Sequence, residues 1–338
     1  MKIQSIGGFN YLKIMPKKTQ VSFKATDESK EPLDNQASSF LVAKIKLQAA
    51  MLQKESKANQ KLAKAVLDEA RFVQNDLQRI ESTSQQNLQR ADEIIESGIL
   101  DRAINGFDRF IPDFILIKDA DPKTRTQTFY SFDGKTKKII ACYINAKMDG
   151  PTLTAEQAFF YKGGKLTRYA EGYLRIEKLA RIFEKSLKGY SFKNKQEIEY
   201  FEDFEECFER GGKGSKLGRA FLFHDTKLKY YAEDKIVENG TGYAKVKTQI
   251  NYNEAEQMFS FIKGEYREPS DNRVINKSFY YNNGILFKVL LNSERPEREL
   301  ISSERSFEFL GKNSFKCNFD EVQKGTSVNC SNSLYIGN

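Results

Sequence analysis

The chain has 338 residues, 39% of them hydrophobic and 30% charged, with a formal net charge of +8. That length admits two domains and a sizeable core, and no apolar run approaches the ~20 residues that span a bilayer. Four cysteines without Cys-x-x-Cys spacing and a single histidine argue against zinc, and a disulfide framework is not expected in so long a chain.

Residues 1–35 carry six lysines, five of them ahead of the first acid, Asp27, show no periodicity, and are read as a disordered tail. They contain no continuous apolar segment of the secretory kind, so the cytoplasm is the default compartment, with non-classical export left open. Residues 36–98 differ sharply: no glycine or proline stands between Pro32 and Gly98. Ser38 or Ser39 can cap the start and Gly98 the end of one long helix. Apolar or small residues recur from Leu41 to Ile95 at 3.6 residues per step, with Gln48, Glu55, Asn59 and Ser84 intruding. A coiled coil, a helical hairpin broken near 53–61, or packing on a β domain would each cover that stripe.

Charge along this helix is segregated. Lys44, Lys46, Lys54, Lys57, Lys61 and Lys64 against Glu55 give the first half a net of +5. In the second half, Arg71, Arg79 and Arg90 against Asp68, Glu69, Asp76, Glu81, Asp92, Glu93 and Glu96 give −4. The expectation is antiparallel pairing, with a second copy or by fold-back, unless the charges are simply solvated.

Residues 99–124 form a connector, 125–322 a β domain, and 323–338 a Ser/Asn/Gly-rich flexible tail. The β domain repeats one phrase: an aromatic, any residue, a second aromatic, a turn, then a rising strand. Copies start at Tyr130, Phe159, Tyr190, Phe221, Phe259, Phe279 and Phe307, at intervals of 29, 31, 31, 38, 20 and 28. Aromatics at i and i+2 share one strand face, and Asp133-Gly134, Gly163-Gly164, Lys263-Gly264, Asn283-Gly284 and Gly311-Lys312 supply turn chemistry. Phe132, Tyr161, Phe192, Phe223, Phe261, Tyr281 and Phe309 are expected to be buried together. Helical spacing around 174–187 and 197–209 suggests that at least one of these segments is an inserted helix. The fold class is therefore α+β: a long N-terminal helix or helical hairpin, then an antiparallel meander of about seven hairpin repeats.

The phrase Phe160-Tyr161-Lys162-Gly163-Gly164-Lys165-Leu166 resembles the hairpin repeats of choline-binding modules and the meander repeats of MORN-type proteins. The resemblance covers about 190 residues of aromatic, turn, glycine and aliphatic positions, and implies a β-meander. Both families usually carry Trp or a Gly-x-Gly signature, and this chain departs from both, so their ligands are not carried over. Val21-Ser22-Phe23-Lys24-Ala25 resembles bacterial sequences and implies no function.

Little points to catalysis. His224 beside Asp225 lies in a turn without a nucleophile in motif context. Gly211–Lys216 lacks the Gly-Lys-Ser/Thr ending of a phosphate loop, and the acids from Glu197 to Glu209 read as a solvated face, not a calcium loop. Cys317 and Cys330 would pair only in an oxidising compartment. No catalytic, cofactor or metal residue is assigned. The reading is a non-enzymatic interaction scaffold, associating with a protein partner or itself through 36–98 and presenting a β surface on which Phe160, Tyr169, Tyr230 and Tyr280 are the candidates. A glycan- or envelope-binding module is the alternative, and a hydrolase with an unrecognised site is more distant. Nucleic acid is disfavoured, because the basic residues do not cluster among exposed aromatics.

Overall fold

In a computed structural model the described residues are 33–106, 113–120, 127–178, 181–194, 196–209, 212–238, 243–267, 274–294, 301–311, 314–323 and 330–336. The expected tail falls almost wholly outside them. The chain divides into two compact units, Met1–Gln48 and Ala49–Asn338. The described part of the first unit is helical, with Phe40, Leu41 and Leu47 exposed.

Helix α1 runs unbroken over Leu33–Glu96, and Gly98, at φ 70, separates it from the short α2, Ile99–Asn105. Positive φ is cheap for glycine, and Gly98 donates to the Ile95 carbonyl at 3.0 Å, as a helix-ending glycine should. No break occurs at 53–61, so the helical hairpin is not formed. No helix among the described residues is long and apolar enough to cross a membrane.

Among the described residues, eighteen strands form one antiparallel sheet. The first ten are β1 (Phe114–Ala120), β2 (Gln127–Asp133), β3 (Ile139–Ile144), β4 (Lys147–Asp149), β5 (Thr152–Lys162), β6 (Lys165–Lys178), β7 (Arg181–Phe192), β8 (Glu197–Glu209), β9 (Gly212–His224) and β10 (Lys227–Glu238). Then follow β11 (Tyr243–Lys245), β12 (Thr248–Tyr252), β13 (Met258–Arg267), β14 (Val274–Asn282), β15 (Ile285–Glu294), β16 (Ile301–Phe309), β17 (Phe315–Gln323) and β18 (Cys330–Ile336). Each long strand pairs with the next, while the short β4 and β11 are bypassed by the β3–β5 and β10–β12 pairings. The segments 174–187 and 197–209 are strands, not helices: cross-strand pairing of Tyr190 with Tyr200 and Ile176 with Phe183 overrides their helical spacing. The connector contains β1, and the expected C-terminal tail contains β18, paired with β17.

One cross-strand row organises the sheet. It runs through Tyr130, Cys142, Phe159, Tyr169, Tyr190, Tyr200, Phe221, Tyr231, Ile250, Phe261, Phe279, Val289, Phe307 and Cys317, each directly paired with the next. All fourteen are buried. Ring centroids 4.9–6.3 Å apart link Phe159, Tyr169, Tyr190, Tyr200, Phe221 and Tyr231 in tilted to edge-on contacts, within the distances over which aromatic pairs attract. The second aromatic of each phrase stands two residues further toward the turn. Phe132, Tyr161, Phe223 and Tyr281 are buried there, and Phe192 and Phe309 are half-buried.

The fifth phrase is out of phase. Phe261 belongs to the central row, on the strand that returns from a turn at Asn253–Gln257. The residues equivalent to the other phrases are Ile250-Asn251-Tyr252. With that start, the anomalous intervals of 38 and 20 become 29 and 29. Gly264 is accordingly not a turn glycine. It lies inside β13, where a Cβ would come within 1.7 Å of the Val246 carbonyl oxygen. Asp225 and Thr226, which lack glycine, do form the two-residue turn, with φ 48 and 67. Gly134 has no positive φ; its neighbour Asp133 instead caps the amides of Lys135 and Thr136.

Within the second unit, α1 lies across the strands. Its buried positions are Ala49, Leu52, Ser56, Asn59, Ala63, Val66, Ala70, Ile80, Ser84, Asn87, Ala91 and Ile94, with Val73 and Leu77 half-buried. Steps of three and four alternate throughout, so the period is 3.5, not 3.6. A coiled-coil spacing is met by a sheet, not by a partner helix. From Arg90, bonded to Asp119 of β1, to Glu55, bonded to Lys277 of β14, the helix rises about 52 Å at ~1.5 Å per residue. The twelve strands crossed, excluding β4 and β11, span about 53 Å at ~4.8 Å per gap. The stripe from Ala49 to Ile94 is covered because the meander is equally long.

Candidate functional site

Both faces of the sheet carry candidate chemistry. On the helix side, the tyrosine hydroxyls of the phrases meet the buried polar positions of α1. Ser56 donates to the Tyr281 hydroxyl at 3.1 Å, Tyr252 donates to the Ala63 carbonyl at 2.8 Å, and Ser84 donates to the Tyr161 hydroxyl at 3.4 Å. From Ser56 to Ala63 is seven helix residues for one step of the phrase. From Ala63 to Ser84 is three times seven, for three steps. Flanking residues repeat the same spacing: Gln60 and Gln74 donate to the turn carbonyls of Gly284 and Thr226, both at 2.6 Å.

Charged groups line the other flank of the helix. Glu55 accepts from Lys263 and Lys277, Glu69 pairs with Arg219 at 2.7 Å, and Arg79 with Glu171 at 3.3 Å. Burial opposes the charge on Glu55, but the two ammonium groups hold its carboxyl below the usual range. Glu171 is likewise lowered against burial, by the Tyr169 hydroxyl and Lys188. Because the helix is unbroken, Lys44, Lys54, Lys57 and Lys61 do not meet Asp76, Glu81, Asp92 and Glu93 by fold-back; Glu55, Glu69 and Arg79 pair instead with the sheet.

The opposite face has a different construction. A row of irregular positions crosses the strands at Asn145, Gly172, Asp203 and Asp234, with φ of 51, 60, 49 and 49. Register places Leu187 and Gly218 in the same row. Ladder pairing lapses along it, and side chains from both sides pack together on the face away from the helix. There Phe129, Tyr143, Ala158 and Ala170 join Ala146, Ala155 and Tyr173 in one core, and Phe201 and Ala220 join Leu217 in another.

Arg168 is the centre of this face. Its guanidinium carbon lies 4.3, 5.3 and 5.7 Å from the ring centroids of Phe204, Phe160 and Phe201. Its charge is met by Glu184 at 3.0 Å, which also accepts from the Tyr173 hydroxyl at 3.0 Å and lies 3.5 Å from Arg175. Burial pushes the Tyr143 phenol up to about 12, and burial together with Glu184 raises Tyr173 further. Both phenols are neutral at ordinary pH. This is an aromatic cage already filled by the chain's own cation, so its chemistry is cohesive, not reactive.

Of the four candidate surface residues, Tyr169 lies beneath the helix and is 1% exposed. Phe160, Tyr230 and Tyr280 are half-buried, each at an odd offset from its neighbour in the central row and therefore on the far face. Tyr230 receives the Lys235 ammonium at 5.3 Å, and Tyr280 contacts Phe287 at 6.4 Å. Sequence reasoning missed Arg168, Glu184 and Tyr173, because the irregular row reverses the alternation between them.

His224 stands at a strand end, 3.5 Å from Asp225 and 4.0 Å from Glu197. The acids of β8 are not a solvated face. Glu202 accepts from Tyr200 and Arg219, both at 2.6 Å, Glu205 from Lys185 at 2.9 Å, and Glu206 is buried. Gly212–Lys216 belongs to β9, with Gly211 outside the described residues. Cys317 is a free thiol. Register sets Cys317 opposite Leu334 and Cys330 opposite Glu321, about 13 Å apart along the strands, too far for a disulfide. Among the described residues no group of three or more His, Cys, Asp or Glu is placed to hold a metal ion. A scan of protein-family models and searches of curated proteins and of solved structures each returned no match.

Proposed function

We propose that this protein is a non-enzymatic interaction scaffold in which the helix serves as an internal spine and the far face of the sheet receives a partner protein. The observation that carries the reading is the division of labour between the faces. The apolar stripe of α1 from Ala49 onward is occupied by the chain's own tyrosines and phenylalanines, whereas Phe160, Tyr230 and Tyr280 remain half-exposed on the other side. The scaffold is read as seven units, each a hairpin matched to one heptad. Spacing by sevens from the three hydroxyl contacts sets Phe223 against Ala70, Phe192 against Leu77 and Phe132 against Ala91. The same row of half-exposed rings supports a glycan-binding module as the second reading, since sugars stack on such faces.

The test is affinity capture from native cells with the full chain and with a Tyr230→Ala/Tyr280→Ala variant. Both rings lie outside the Arg168 cage, so the variant is expected to keep its circular-dichroism spectrum and lose a partner protein that the native chain retains. Identical captured sets, or ring-dependent binding to a glycan array with no protein retained, would overturn the partner-protein reading.

A further inference from the structure

We propose that the back of α1 between Met51 and Lys64 is a docking surface for an anionic phospholipid bilayer. Lys54, Lys57, Lys61 and Lys64 succeed one another at intervals of three, four and three residues, so they form one ridge about 15 Å long at ~1.5 Å per residue. All four are exposed, and among the described residues no carboxylate pairs with any of them. The ridge lies opposite the buried positions Leu52, Ser56, Asn59, Ala63 and Val66, and so faces directly away from the sheet.

The one acid of this stretch strengthens the effect. Glu55 is turned toward the sheet and held between Lys263 and Lys277, so it neutralises none of the ridge. On the flank between this ridge and the sheet, the one that also carries Glu55, stand two apolar side chains, Met51 at 64% and Leu62 at 43% exposure. Lysines flanked by exposed apolar side chains match the interface of an anionic leaflet, where ammonium groups meet headgroups and short apolar chains enter the boundary. Nucleic acid is the less suited polyanion. It is held by arginine forks and stacked rings, and neither occurs between Met51 and Lys64. The second half of the helix offers no equivalent: its outward positions include Asn75, Gln78, Ser82 and Gln89.

Co-sedimentation of the full chain with vesicles tests the proposal. Vesicles of phosphatidylcholine with phosphatidylserine are expected to bind the chain at low salt and release it at high salt, while pure phosphatidylcholine binds it weakly. Each lysine near an anionic surface is worth roughly a fivefold change in partition, so Lys54→Gln/Lys57→Gln/Lys61→Gln/Lys64→Gln should lose binding by well over tenfold. The control Lys138→Gln/Lys147→Gln/Lys162→Gln/Lys165→Gln removes the same charge elsewhere and should lose far less. Equal binding to neutral vesicles, equal losses in the two variants, or no vesicle binding with retained binding to a single-stranded oligonucleotide would each overturn it.

Discussion

Ser56 and Tyr281, 225 residues apart in sequence, meet through their hydroxyls at 3.1 Å in a buried seam. Asn59, one helical step along, is buried in the same stripe of the helix. The same pattern recurs where Tyr161 meets Ser84, with Asn87 buried one helical step along. A Ser-x-x-Asn pair on the helix is thus matched to tyrosine on the sheet, and alanine to a ring or to a phenol that reaches the backbone. Tyr281→Phe and Ser56→Ala should each cost about 1 kcal/mol, since a buried hydrogen bond is lost and its other half stranded. The double variant should cost less than the sum. Thermal denaturation of the four-member cycle measures the coupling, and strict additivity would show that the two groups do not interact.

The alanines of the seam are small because the rings lie against them. Ala63→Leu should destabilise the fold by about 1–3 kcal/mol through overpacking. Ala65→Leu, two residues on and exposed, should be close to neutral. Chemical denaturation of the two variants distinguishes a packed seam from a helix resting loosely on the sheet.

The Glu55 carboxyl is held below its ordinary value of 4.5. A lowered folded pKa means that the stability Glu55 contributes is fully present above the unfolded value and is lost as pH falls through the folded one. Thermal midpoints taken between about pH 7 and about pH 3 should therefore fall less steeply in Glu55→Gln than in the native chain. The two curves should approach each other at the acid end. Parallel curves would mean that Lys263 and Lys277 do not act on this carboxylate.

The close approach of β13 to the Val246 backbone makes its own demand on residue size. Gly264→Ala should destabilise markedly, because the new methyl would overlap the Val246 carbonyl. Gly214→Ala, with open space around the position and no positive φ, should be tolerated. Comparable losses in both variants would point to a general intolerance of side chains in β9 and β13.

Much of this architecture was legible in the residues, and the exceptions have physical reasons. Aromatics at i and i+2 before a turn announce a strand and its buried face whatever surrounds them, so the meander could be read. Ile250-Asn251-Tyr252 escaped because isoleucine replaces the first aromatic, while Phe259-Ser260-Phe261 imitates the phrase on a returning strand. The heptad escaped because Ser56, Asn59, Ser84 and Asn87 look like interruptions when apolar residues are counted. The partners of Ser56 and Ser84 are hydroxyl groups far away in sequence, which no local pattern contains. The Arg168 cage depends on a reversal of alternation at Gly172 and Asp203, and only the backbone reveals that reversal.

If one hairpin is matched to one heptad, the two must be removable together. Deleting residues 224–252 joins Phe223 to Asn253, so that β9 enters the turn that Tyr252 normally enters. The helix would then carry one heptad too many between the contacts at Tyr281 and Phe223. Deleting Ala63–Glu69 as well restores the match, since Ala70 then follows Leu62 and lies one heptad beyond Ser56. The double deletion is expected to unfold in a single cooperative transition. Either deletion alone shifts every helix contact on one side by a heptad, setting Ser84 and Asn87 against phenylalanine and leaving buried hydroxyls unpaired, so its thermal midpoint should lie well below that of the double deletion. Calorimetry on the three variants decides the matter. If the double deletion is less stable than both single ones, the strands and the helix are not counted in the same units.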